Sequence, residues 1–204
     1  MVHAALEAGL PFSWSSEAIT FQEPELPSGA PDLLLLRLSE KSDCSSIPLS
    51  ERELKLLQFL SSKQRVQIGD LVDLLCWPPR SAQAVVSALE SKGFLTVNNN
   101  SLTLTFEAKA FVAREIVAIE AKVSDWKRAL VQAQRNHWFA SQSYVLLQGS
   151  VSASAMDSAA DTGVGILHFD GRRAKVLVRA ERNRLPGSYA SWLISMWAHQ
   201  ETCA

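Results

Sequence analysis

Two charged side chains end an otherwise apolar stretch, and their spacing is the strongest chemical signal in the sequence. In REIVAIEAK, Ile116 to Ile119 is apolar and largely β-branched, which predicts a buried strand ending in Glu120 and Lys122. Strand alternation puts those two side chains on one face, with Ala121 on the other. A carboxylate and an ammonium at the end of a core strand are costly to bury unless they pair or bind a metal, so a partner is expected. Asp32 is the natural one, because it begins the aliphatic segment APDLLLLRL. If the two strands pair antiparallel, the start of one lies against the end of the other, and Asp32, Glu120 and Lys122 meet. Two carboxylates suit Mg²⁺, which keeps several waters and takes its remaining oxygens from a phosphate. The lysine can stabilise an attacking water or the charge growing on phosphorus. Glu107 and Glu115 are the alternative acids should Asp32 serve only as a turn residue.

The flanking elements are those needed to hold such a site. After Lys122, Ser124 can cap a helix whose apolar stripe is Trp126, Ala129, Leu130 and Ala133, with Arg128, Gln132 and Arg135 on the other side. QSYVLL then reads as a further buried strand, and His3 to Ala8 as a preceding helix. Pro31-Asp32 with Glu120-Ala121-Lys122, on strands followed by that helix and strand, resembles the PD-(D/E)xK, or restriction-endonuclease-like, nuclease superfamily. The resemblance covers roughly residues 1 to 40 and 107 to 148. It implies an α/β (α+β) fold with a mixed sheet flanked by helices, and Mg²⁺ or Mn²⁺ held by Asp32 and Glu120. Lys122 would assist the water and Gln132, or else Gln134, would complete the site. A first-helix glutamate, Glu7 or Glu17, is a further ligand in some members.

The long gap between Asp32 and Glu120 must then hold an insertion, which loop tips tolerate. Residues 39 to 50 are polar and serine-rich, as a linker is. Ser50 followed by Glu53 is a capping box that starts a helix with Leu54, Leu57 and Leu60 on its apolar stripe. QIGDLVDLLCW, stopped by Pro78 and Pro79, reads as a second helix, and SAQAVVSALESKG, closed by Gly93, as a third. FLTVNNNSLTLTF is two alternating runs joined by asparagines, a β-hairpin. Three helices and a hairpin resemble a winged helix-turn-helix domain over residues 49 to 106, inserted into a discontinuous nuclease-like domain of residues 1 to 40 and 107 to 204. In that family the third helix enters the DNA major groove, which nominates Arg80, Ser81, Gln83 and Lys92, although such domains also serve as protein-protein modules. Residues 49 to 97 carry six basic and five acidic side chains, a weak electrostatic footprint for DNA.

Charge is segregated along the chain. Residues 1 to 48 hold two basic and seven acidic side chains, whereas residues 109 to 204 hold twelve basic and eight acidic, so the C-terminal half is the better polyanion surface. GILHFDGRRAKVLVRA reads as a hairpin turned at Asp170-Gly171, with Arg172, Arg173 and Lys175 leading a basic cluster. That cluster, with Arg128, either tracks phosphates or guards an edge strand against aggregation. SVSASAMDSAADTG reads as a polar loop, and GSYASWLISMWAHQ as an amphipathic helix packed on the sheet or on a second subunit. Cys44, Cys76 and Cys203 show neither metal nor disulfide spacing. With no leader peptide and no membrane-length apolar run, the expectation is a cytoplasmic, soluble protein. The expected function is a DNA-acting, metal-dependent nuclease. The alternative is a non-catalytic DNA-binding regulator or scaffold subunit of a defence or repair complex, and a homodimer fits either.

Overall fold

A computed structural model of the chain describes residues 1–27, 29–39, 48–63 and 66–202. The chain divides into two compact units, one of residues 1–37 and 114–186, the other of 38–113 and 187–204. The fold is mixed α+β.

The first unit is built on a six-stranded mixed sheet. Helix α1 (Val2–Glu7) precedes β1 (Ile19–Gln22) and β2 (Leu33–Arg37). The chain returns as β6 (Glu115–Lys122), crosses through α6 (Trp126–Asn136) to β7 (Gln142–Gln148), and continues through α7 (Ala153–Asp161) to β8 (Gly165–Phe169) and β9 (Ala174–Val178). The strand order is β1-β2-β6-β7-β8-β9; β6, β7 and β8 run parallel, and the outer pairings are antiparallel. The parallel neighbours need helical crossovers, and α6 and α7 supply them. β2 is buried along all four leucines because both faces of the sheet are covered. On one face Leu33, Leu35, Val117, Ile119 and Leu146 pack with Ala5 and Leu6 of α1. On the other, Val145, Leu147 and Ile166 pack with Ala129 and Ala133 of α6 and Ala155 and Ala159 of α7.

The second unit carries α2 (Glu51–Ser61), β3 (Val66–Gln67), α3 (Ile68–Leu74), α4 (Pro79–Ser91), the hairpin β4 (Leu95–Asn98) and β5 (Ser101–Leu104), α5 (Phe106–Phe111) and α8 (Tyr189–Thr202). The capping box forms as its residues dictate: the Ser50 hydroxyl accepts from the Glu53 amide, and the Glu53 carboxylate accepts from the Ser50 amide at 2.6 Å. Such a cap contributes about 1 kcal/mol. Asn99 and Asn100 take φ of 50° and 61°, the left-handed pair that a two-residue hairpin turn needs.

Three expectations change. The segment read as a polar loop contains α7: Ser152 caps it, accepting from the Ala155 amide, and Ala155 and Ala159 bury its inner side. Small side chains gave no hydrophobic stripe to read, yet they let the helix lie close to its neighbours. The final helix packs within the second unit. Trp192 enters the core of the second unit and stacks on Phe111, and His199 bonds the Phe111 carbonyl at 2.9 Å, so residues 187–204 group with that unit. Helix α6 is capped by Asp125, whose carboxylate accepts from the Arg128 amide, and not by Ser124. The expected linker falls largely on residues 40–47 which, like Cys44 and Cys203, lie outside the described residues. No helix among the described residues is long and apolar enough to cross a membrane.

Candidate active site

β2 and β6 pair antiparallel with Leu33 opposite Ile119, which sets Asp32 at the end of β6 where Glu120 and Lys122 stand. Asp32 Oδ2 accepts from the Ala121 amide at 2.6 Å and from Lys122 Nζ at 3.1 Å. The ion pair is about a quarter exposed on both sides, so it is open to a ligand from solvent. Glu120 is buried, and its Oε1 accepts from Asn136 Nδ2 at 2.9 Å. Burial pushes the Glu120 carboxyl up from the ordinary carboxylate range and the nearby Asp32 charge adds to this, against the lowering effects of Asn136 and Lys122.

The sequence reasoning missed Asn136. Its signal was available in the helix period: Asn136 lies one turn after Gln132, on the flank of the stripe made by Ala129 and Ala133. Gln132 is half-buried, and its Oε1 is a buried acceptor with no hydrogen-bond donor. Gln134 is exposed. Of the alternative acids, Glu115 stands at the opposite end of β6, bonded to Gln142 and Arg182. Glu7 pairs with His3 on α1, which packs against the other face of the sheet.

The donors are hard oxygens, as Mg²⁺ or Mn²⁺ requires: two carboxylates, with the unpartnered Gln132 oxygen on the neighbouring helix. In chemistry, then, the residues fit such an ion. No group of three or more His, Cys, Asp or Glu side chains among the described residues could hold one by itself, so waters or substrate oxygens would complete the coordination.

The remaining nominated residues are dispersed. Arg128 is exposed on α6, and Arg172 and Arg173 are exposed in the β8–β9 turn, where their amides donate to Asp170 Oδ1. In the second unit Arg80 and Gln83 are exposed and Ser81 half-buried on α4. Lys92 is turned inward: its ammonium bonds Glu53 Oε1 at 2.6 Å and the Pro48 carbonyl at 2.9 Å, so it clamps the start of α2 and is not available as a groove contact.

The chain matches no protein-family model and no curated protein. Among solved structures it is similar to a protein of unknown function from Silicibacter pomeroyi, at 19% identity and a TM-score of 0.33, over 43% of this chain and 59% of that one. The chain thus spans little more than half the length of that protein, and at this level the likeness assigns neither fold nor activity.

Proposed function

We propose that the first unit is a metal-dependent nuclease of the PD-(D/E)xK type acting on DNA, and that the second unit is a winged helix serving DNA or a partner protein. One observation carries the reading: Asp32 and Lys122, 90 residues apart in sequence, meet at 3.1 Å beside Glu120 at one end of a buried strand. The order α1, β2, β6, α6, β7 supports it, because that is the arrangement the resemblance implied. Asp32 and Glu120 are the residues to hold Mg²⁺ or Mn²⁺, which when bound supplies charge for a phosphate oxygen and an acidic water. Lys122, steadied by Asp32, donates to the oxygen on which charge grows. Asn136 fixes the rotamer of Glu120, and the Gln132 oxygen accepts a hydrogen bond from the attacking water and so orients it. Arg128, Arg172 and Arg173 track the backbone, and Arg80, Ser81 and Gln83 present the polar side of α4.

A second reading has its own support. Burial pushes the Glu120 carboxyl up and its bonded donor Asn136 is a neutral amide, as suits a platform that binds nucleic acid in a defence or repair complex, as a homodimer or with other proteins, without cutting it. Cleavage of a mixed DNA pool separates the two, with wild type beside Glu120→Ala and Lys122→Ala, in Mg²⁺, in Mn²⁺ and with EDTA. Cleavage by wild type alone, lost with EDTA, establishes the nuclease. Salt-sensitive DNA binding with no cleavage in either metal overturns it in favour of the platform.

A further inference from the structure

The first unit has a concave site at the other end of β6 and on the face of the sheet opposite Glu120. Glu115 begins the strand, about 16 Å from Glu120 at the usual rise per residue, and alternation turns it toward the face opposite Glu120. A cleft of about 450 Å³ opens there, within the roughly 300–1,000 Å³ typical of small-molecule sites.

Its apolar wall is aromatic. Phe12 stacks on Trp14 with centroids 6.1 Å apart and meets Tyr144 edge-on at 5.3 Å, and Phe12 and Trp14 are only half-buried. Tyr144 lies flat over β8 because Gly165 has no side chain: a Cβ there would stand 2.2 Å from the tyrosine ring and 2.7 Å from the Ala180 amide nitrogen. The polar wall is organised from within. Tyr144 donates to Gln142 Oε1, and Gln142 Nε2 and Arg182 both donate to the buried Glu115 carboxylate, at 2.5 Å and 3.1 Å. The one carboxylate in the cleft is therefore already neutralised. Arg179 also lines the cleft, is exposed, and has no hydrogen bond or ion pair among the described residues.

These features select a ligand. A cation would face Arg179 and Arg182 with no carboxylate left to meet it, and a bare phosphate would leave the aromatic wall wet. We propose that the cleft binds a nucleotide unit, with its base against the partly exposed Phe12 and Trp14, which Tyr144 backs, and its phosphate on Arg179. The unit is a free mononucleotide or one residue of a single strand, because both present a π-face beside an anionic oxygen. This site is independent of the Asp32–Glu120–Lys122 cluster and stands whether or not that cluster cuts DNA.

Isothermal titration of the full chain with adenosine and cytidine 5′-monophosphate, adenosine, inorganic phosphate and a short single-stranded oligonucleotide tests it. The expected result is that a mononucleotide or the oligonucleotide binds at least about tenfold more tightly than phosphate or adenosine. Arg179→Ala and Trp14→Leu should each weaken that binding by about tenfold, the scale of one charge-assisted hydrogen bond or one stacked base. Asp161→Asn, exposed at the end of α7 and outside the cleft, should leave it unchanged. A response to mononucleotides identifies a free ligand, and a response to the oligonucleotide alone identifies a strand; either supports the site. No binding of either probe, or binding that Arg179→Ala and Trp14→Leu leave intact while both variants melt like wild type, overturns it.

Discussion

Glu53 in the second unit and Glu120 in the first are each only 4% exposed, yet their surroundings shift the two carboxyls in opposite directions. Burial raises both. At Glu53 the Lys92 ammonium and the Ser50 amide and hydroxyl outweigh it, and the carboxyl falls below its ordinary value. At Glu120 the donor is a neutral amide, Lys122 is directed to Asp32, and the carboxyl rises. Burial alone thus does not mark a functional acid. What matters is whether the structure spends its own cation on the group, as it does where Glu53 and Lys92 close a cap, or leaves the charge to be met from outside.

The comparison can be broken in four ways. The largest effect concerns function: Glu120→Gln should lower DNA cleavage at least about a hundredfold, on the scale of losing one preorganised electrostatic contact, whereas Glu53→Gln should leave it within a fewfold per folded molecule. Equal losses in initial-rate assays would erase the distinction. Stability should move the other way. Glu53→Gln leaves Lys92 without its anion and should cost about 1–3 kcal/mol in urea unfolding. Glu120→Gln should be neutral or stabilising at pH 7: with a raised folded pKa the unfolded state releases its proton first, so the wild-type glutamate weakens the fold as pH rises through and above 4.5. A destabilised Glu120→Gln would show that this acid is structural.

Asn136→Leu sharpens the same point. Removing a donor that lowers the Glu120 carboxyl should shift the acidic limb of the cleavage profile to higher pH, with restored activity at alkaline pH, whereas a merely structural loss would depress the whole profile. The smallest effect belongs to the second unit. Burial holds His199 below its ordinary 6.5, against the raising effect of the Phe111 carbonyl. The unfolded chain therefore binds the extra proton first, and stability should decline modestly as pH falls below about 6.5. His199→Gln should flatten that limb in thermal melts, and an unchanged slope would show that the imidazole is not the group responsible.

What could be read in the sequence was local. The Ser50–Glu53 cap, the asparagine turn, the shared face of Glu120 and Lys122 and the stripe of α6 all rest on separations of a few residues, where backbone sterics and the periods 2 and 3.6 decide the outcome. The pairing of Asp32 with Lys122 was inferred from the ends of two aliphatic runs, and the antiparallel β2–β6 register brings the two residues together. Hidden from local pattern were α7, whose alanines and serines carry no stripe, and the packing of α8, whose apolar residues fit more than one surface. Asn136 and the inward turn of Lys92 were hidden as well, because an amide or an ammonium on a helix shows its partner only when another element is laid beside it. Spacing determined which groups could act together. Only the tertiary structure decided which carboxylate received a cation and which was left to titrate upward, since desolvation and pairing depend on neighbours that sequence distance does not encode.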